Sequence, residues 1–178
     1  MNTTASRALT AARPVITGLL VLNILYGLCI VALLVVSVVA PSVRPGWPWT
    51  ALGFDIEVAH VALARALQLI AVLGLAGAAV VHIVLRTLRA IADTVRDGDP
   101  FIMANARRLT TIAWCVLAGQ VLRLAIALVA AAVSTPAQPV DMGDGLSFTP
   151  WLVVLLLFVL AGVFAQGARM RADLEGTV

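Results

Sequence analysis

The sequence predicts an all-α, polytopic integral membrane protein with four transmembrane helices, and three observations support this fold class. Of 178 residues, 62% are hydrophobic and 12% are charged, whereas charged residues make up about 25% of a typical soluble domain. The mean hydropathy is +1.05. Four apolar stretches approach or exceed the length of about 20 residues that a helix needs to cross a bilayer. The arginines cluster on one side of these stretches, as expected of a polytopic protein.

The predicted helices belong to a single domain of residues 1–178 and cover about residues 15–40, 62–92, 104–133 and 150–170. The first apolar stretch is longer than the 7–15 apolar residues of a secretory signal, so we expect it to stay in the protein as a helix. The loop that follows it contains Trp47 and Trp49. Tryptophan is enriched at membrane interfaces, so we expect both rings at the level of the lipid headgroups.

The basic residues predict the orientation of the chain. All twelve are arginines, and nine of them flank the same ends of the predicted helices: Arg7, Arg13, Arg86, Arg89, Arg96, Arg107, Arg108, Arg169 and Arg171. Because cationic flanks are retained on the cytoplasmic side, we expect both termini and the connection between helices 2 and 3 inside the cell. The net charge of +3 therefore reflects membrane orientation, and no direct nucleic-acid partner is expected.

The longest polar interruption, VRDGDPFIMANARRL at residues 95–109, predicts a short amphipathic helical corner on the inner face. Helix 2 should continue beyond the membrane until Gly98, which can adopt the left-handed conformation that ends a helix. Asp99 would then be the N-cap and Pro100 the first residue of helix 3. Phe101 would dip into the membrane interface, with Arg107 and Arg108 at headgroup depth.

Three polar side chains fall inside the predicted spans, namely Gln68, Gln120 and Arg123. Gln120 and Arg123 are three residues apart and share one helix face. Intramembrane charge is costly and often marks a site, so one interpretation is an anion-binding site. The alternative is structural, with Arg123 paired to Asp55, Glu57 or Asp141 from the loops.

Signatures of catalysis and of metal or cofactor binding are missing from the sequence. It contains no GxSxG, no HExxH and no P-loop, so we expect no enzyme activity and no cofactor. Cys29 and Cys115 lie in apolar helices without a CxxC pattern, and we expect buried thiols that act as small hydrophobic groups. No acidic residue lies within a span, which disfavours proton-coupled transport.

The polar corner also carries a family resemblance. Gly98-Asp99-Pro100-Phe101, followed by Asn105, Arg108-Leu109 and Trp114, resembles the signature of a bacterial membrane-protein family known as domain of unknown function 2975. The last helix and tail, residues 158–178, are also similar to that family. The resemblance implies four spans in the inner membrane and no assigned biochemistry. Because family members commonly occur beside a small helix-turn-helix regulator, it also implies a role as a membrane partner or sensor for such a cytosolic protein.

Three functional hypotheses follow. In the first, the corner binds a cytosolic transcriptional regulator through Arg96, Asp99, Phe101, Asn105, Arg107 and Arg108. The plainer interpretation of these residues is that they build the turn and set the orientation. In the second, the chain is a small transport or channel component that binds an anion through Arg123, Gln120 and Gln68. In the third, it is a structural membrane subunit or homo-oligomer that packs through small residues such as Gly74, Gly77 and Ala78.

Overall fold

The computed structural model describes residues 3–39, 47–53, 61–134 and 148–175, and within this part of the chain the regular secondary structure is all helical, with no β-strand. The elements are α1 (Thr3–Val39), a short 3-10 helix η1 (Trp49–Leu52), α2 (Val61–Arg96), α3 (Met103–Val133) and α4 (Thr149–Glu175). Each of the four α-helices is long and apolar enough to cross a membrane. The predicted number of spans is therefore confirmed.

The helices extend beyond the apolar stretches from which they were predicted. α1 begins at Thr3 and passes through Pro14, although its apolar pattern starts only at Val15. α2 has 36 residues, or about 54 Å at 1.5 Å per residue, against about 30 Å of bilayer hydrocarbon. The predicted continuation of helix 2 past its apolar stretch, as far as Arg96, is therefore found. The apolar pattern underestimates helix length because polar residues continue a helix outside the lipid.

The surfaces of the helices are strongly apolar. Leu22 on α1 and Leu155 on α4 are among many large hydrophobic side chains that are well exposed. In water such a surface would be unstable, whereas in lipid no energy is lost by exposing it. The chain is therefore a multi-pass membrane protein.

The described residues form two compact units, which we name by their connections. The corner unit comprises residues 1–23, 80–119 and 147–178. It contains the turn between α2 and α3 together with all of α4. The loop unit comprises residues 24–79 and 120–146, and contains η1.

The loop unit has a small hydrophobic core around Trp49. This side chain is 5% exposed and packs with Leu63 and Leu67 of α2, with Leu33 and Val133 against the cluster. The expectation that Trp49 presents its ring to lipid headgroups is therefore corrected, because the indole is enclosed by protein. A large apolar ring gains more from such packing than from partial contact with the interface.

Two further contacts in the loop unit align α1 with α2. The amide nitrogen of Gln68 donates to the Ser37 hydroxyl at 3.3 Å, and Ser37 is buried. A Cβ at Gly74 would lie 3.7 Å from the Ile30 side chain. Since Ser37 lies near the end of α1 and Gln68 near the start of α2, the two helices run antiparallel here.

Candidate functional site at the corner between α2 and α3

The turn after α2 has the geometry of a Schellman motif. Gly98 has φ +91°, and its N–H donates to the carbonyl of Val95 at 3.2 Å. The N–H of Asp99 donates to the carbonyl of Thr94 at 3.1 Å. This pair of bonds satisfies carbonyls that would otherwise be left open at a helix end. The prediction that Gly98 ends helix 2 in the left-handed conformation is confirmed.

Asn105, on the first turn of α3, is the centre of the corner. Its side chain is 0% exposed. The amide nitrogen donates to the Pro100 carbonyl and to the Thr94 hydroxyl, each at 2.9 Å. The amide oxygen accepts a bond from Arg108 at 2.8 Å. Asn105 thereby joins α2, the turn and α3 through one buried amide, and its side chain is not available as a contact surface for a partner.

Arg108 also faces inward, toward α2. One guanidinium nitrogen donates to the carbonyl of Ala90 at 3.1 Å and to the Asn105 oxygen. A guanidinium can hold several acceptors in a fixed plane, so it fastens α3 to the backbone of α2. The structure therefore gives Arg108 an internal role, and because the residue is only half-buried, its predicted contact with a partner stays a prediction.

Asp99 differs from its predicted role as a helix cap. α3 begins at Met103, where the first helical N–H groups bond to the Ile102 carbonyl, so Asp99 lies outside the helix. Its carboxylate instead accepts a bond from Arg171 of α4. The expected N-cap is therefore corrected, because a cationic partner on α4 holds the carboxylate. This ion pair links the turn to the tail.

Phe101 packs against α4. Its ring lies 5.2 Å from that of Phe164, centroid to centroid. A Cβ at Gly167 would lie 3.1 Å from the Phe101 ring, so the missing side chain at Gly167 leaves room for the phenyl group. The residue is nevertheless 46% exposed. Phe101 is thus both a packing residue and a surface residue.

α1 joins the same region through charge. Arg13 contacts Asp93 of α2 at 3.0 Å, and both side chains are partly exposed. With the contacts described above, the end of α2 and the turn after it bind α1 through Asp93, α3 through Thr94 and α4 through Asp99. All four helices therefore meet at the corner.

A model of the family described as "Protein of unknown function (DUF2975)" matches residues 4–178. The chain belongs to that family. The match confirms the resemblance carried by Gly98 to Phe101, Asn105, Arg108 and Leu109. No curated protein and no solved structure matches the chain.

The structure assigns an internal task to most of the resembling residues of this DUF2975 protein. Gly98 ends α2, Asp99 pairs with α4, and Asn105 and Arg108 join α2 to α3. Trp114 packs edge-to-face with Phe158 of α4, with ring centroids 5.5 Å apart. The plainer interpretation, in which these residues build the turn, accounts for their geometry.

Two of the predicted partner-contacting residues remain at the surface. Arg96 ends α2 and Arg107 lies on the first turns of α3, and both side chains are exposed. On α4, Met170 and Leu174 are exposed apolar groups beside the tail arginines. The corner of the DUF2975 protein therefore combines a fixed interior with an exposed cationic and apolar rim.

The predicted intramembrane polar residues do not share a common environment. Gln68 is bonded to Ser37 within the loop unit. Gln120 is half-buried on α3 and Arg123 is exposed. The three acids proposed as partners of Arg123, which are Asp55, Glu57 and Asp141, lie outside the described residues. The alternative interpretations of Arg123 therefore both stay predictions.

The cysteines and the small residues of α2 also differ from expectation. Cys29 is exposed on α1, so it is a lipid-facing group and not a buried thiol, whereas Cys115 is half-buried. Gly74 packs against Ile30 of the same chain, and Ala78 is buried, while a Cβ at Gly77 would meet open space. Part of the predicted small-residue face is thus used within the chain.

Sequence reasoning missed three residues of the corner. Thr94 accepts the Asn105 amide, Asp93 pairs with Arg13, and Gly167 makes room for Phe101. The sequence partly indicates the ion pairs, because Asp93 and Asp99 are acidic residues within an arginine-rich segment. Thr94 carries a weaker signal, since a threonine near a helix end usually bonds its own backbone.

Proposed function

We propose that this DUF2975 protein is a membrane docking partner for a cytosolic regulator, which binds at the exposed rim of the corner. Arg96 and Arg107 are the basic residues of that rim. The observation that carries the proposal is the buried Asn105, whose hydrogen bonds fix the ends of α2 and α3 from which these two arginines project.

A fixed corner suits the recognition of a partner protein. Association is weakened by the entropy lost when an interface becomes ordered, so a preorganised surface binds more tightly. Arginine is enriched in protein interfaces. Because charges across an interface are complementary, we expect the two exposed guanidinium groups to bind an acidic surface of the partner. The class of partner, a helix-turn-helix protein, follows from the family resemblance.

The proposed orientation places the corner, residues 95–109, in the cytoplasm. Its support is the distribution of arginine, which is concentrated at the corner and beside the tail. A single cysteine at position 97 in a C29S/C115S background tests it with a membrane-impermeant maleimide. We expect labelling in inside-out vesicles and not in intact spheroplasts, and the reverse pattern would invert the orientation.

The docking proposal is tested by photo-crosslinking from defined positions in native membranes. A photoreactive residue at Arg96 or Arg107 should capture one soluble DNA-binding protein, identified by mass spectrometry. The same residue at Leu155, exposed on the apolar surface of α4, is the matched control. The reversal R96E/R107E should abolish capture from a neighbouring probe at Asp97 while insertion stays normal. Equal capture with and without the reversal would overturn the proposal.

The other two hypotheses have less support from the geometry. Anion transport through Arg123, Gln120 and Gln68 requires polar groups that are available to a solute, and Gln68 is already bonded to Ser37. A structural subunit would need a free small-residue face, and Gly74 is packed within its own chain. We therefore favour docking at the corner.

A further inference from the structure

A second basic feature of the corner unit lies on α2, between the apolar stretch and the rim. Residues 86, 89, 93 and 96 are spaced three, four and three apart, so they share one face of the helix. Three of them are arginines and the fourth is Asp93. Because Arg13 of α1 pairs with Asp93, the acid does not neutralise the arginines beside it.

Arg86 and Arg89 are placed at the depth of the lipid headgroups. The apolar stretch of α2 ends at Leu85, so the two arginines lie about 1.5 and 6 Å beyond it along the axis. The headgroup region is about 5–8 Å thick on each side. Arg96 lies about 16 Å beyond Leu85, which is past that region. Arg86 and Arg89 are therefore placed to bind a lipid headgroup, and Arg96 is placed to bind a soluble protein.

The neighbouring surface of α1 supplies apolar contacts at the same depth. α2 runs opposite to α1, so counting back from the pair of Asp93 and Arg13 places Arg89 and Arg86 level with residues 17–20 of α1. One residue beyond this segment, Val21 is well exposed, and it lies nearer than Gly18 or Leu19 to the side of α1 that carries Arg13. A phospholipid needs this combination of a cationic site for phosphate and an open apolar wall for its chains.

The charges of Arg86 and Arg89 remain available. In the described part of the chain, ion pairs join Arg13 to Asp93 and Arg171 to Asp99, and Arg86 and Arg89 take part in neither. Arg86 is exposed and Arg89 is half-buried. Guanidinium groups bind phosphate oxygens in a bidentate manner. We infer that Arg86 and Arg89 bind the phosphate of an anionic phospholipid, with its acyl chains against the apolar surface of α1.

Native mass spectrometry of the detergent-purified protein tests this site with phosphatidylglycerol as the probe. Each basic group near an anionic surface contributes a factor of about 5 to binding. The variant R86Q/R89Q should therefore bind phosphatidylglycerol about 25-fold more weakly than the native protein. The matched control R65Q/R169Q removes the same charge from two exposed arginines elsewhere in the chain and should leave the affinity within about 2-fold, since these groups lie outside the site. Phosphatidylcholine should bind weakly to all three proteins.

Three outcomes would overturn the inference. The first is an equal loss in both double variants, which would mean that net charge alone attracts the lipid. The second is equal binding of phosphatidylcholine, and the third is full competition by soluble glycerol 3-phosphate, which lacks acyl chains. The variant R86K/R89K keeps the charge but loses the bidentate geometry, so its affinity should fall between those of the native protein and R86Q/R89Q. A circular-dichroism spectrum of R86Q/R89Q that matches the native one guards against a simple folding defect. Because no cytosolic protein is present, failure here leaves the docking proposal untouched.

Discussion

The buried amide of Asn105 on α3 and the hydroxyl of Thr94 on α2 are 2.9 Å apart and join the two helices across the turn. Within the described residues, no buried side-chain nitrogen or oxygen lacks a hydrogen-bond partner. A buried amide in an apolar setting is stabilising only while its donors and acceptors are all used. The corner therefore depends on the complete set of hydrogen bonds, and removal of one side chain leaves the other polar groups without a partner.

Asn105→Ala should destabilise the protein by about 1–3 kcal/mol, because it leaves buried polar groups of Thr94 and Arg108 without their partner. Unfolding in mixed detergent–SDS micelles, followed by circular dichroism, measures the change. Asn105→Asp keeps an acceptor for Arg108 and loses both donors, so an intermediate loss is expected. Arg107→Ala, on the same helix and exposed, should change little, and an equal effect of Arg107→Ala and Asn105→Ala would argue against the network.

Gly98→Ala should cost about 1–2 kcal/mol in the same unfolding assay, since φ +91° is unfavourable for a residue with a Cβ. Gly18→Ala is the comparison. Gly18 lies within α1 and a Cβ there would meet open space, so the helix should be unchanged or slightly more stable. A neutral Gly98→Ala would mean that the turn relaxes without the Schellman geometry.

Gly167→Ala and Gly162→Ala form a matched pair on α4. Alanine favours a helix over glycine by about 0.5–1 kcal/mol, so Gly162→Ala, with nothing within 4 Å of the added Cβ, should stabilise the protein. At Gly167 the Cβ would lie 3.1 Å from the Phe101 ring, and the ring must shift away from Phe164. We expect the gain to be lost at Gly167 and recovered when Phe101→Leu is added. Equal stabilisation by both alanines would show that Phe101 does not pack there.

The pair of Asp99 and Arg171 should show a coupling energy of about 0.2–1 kcal/mol in a double-mutant cycle of D99N, R171Q and both together. The value is small because the two side chains are half-exposed, and it should fall as salt is raised. A cycle of Asp99 with Arg107 serves as the negative control. Coupling that is absent at low salt would remove this link between the turn and α4.

Much of the fold follows from the sequence because it depends on hydropathy. Four apolar stretches give four helices, and Gly98 marks the end of α2 because a left-handed turn favours glycine. The helix ends were less predictable: α1 begins at Thr3 and α3 at Met103, since polar residues are compatible with helix outside lipid. The apolar pattern thus fixes which segments span the membrane and leaves their ends open.

The site was harder to predict because its chemistry depends on contacts between helices. A polar residue in an arginine-rich segment is expected at the surface, and Asn105 was expected there, whereas it is fully buried. Its inward position follows from Thr94 and Pro100, which come near it only after the chain has turned. The exposure of Arg96 and Arg107 was predictable, since isolated charges seek solvent.

The contacts of Phe101 with α4 determine when, during synthesis of the chain, the corner can reach its final packing. Phe164 and Gly167 leave the ribosome about 60 residues after the turn, so the corner cannot reach its final packing while α2 and α3 are the newest segments in the membrane. Once the first three helices are inserted, the hydrogen bonds of Asn105 between α2 and α3 can already form. The ring of Phe101 has no α4 to pack against at that stage. The last helix thus completes the corner, and a chain truncated before it would expose a surface that the finished protein hides.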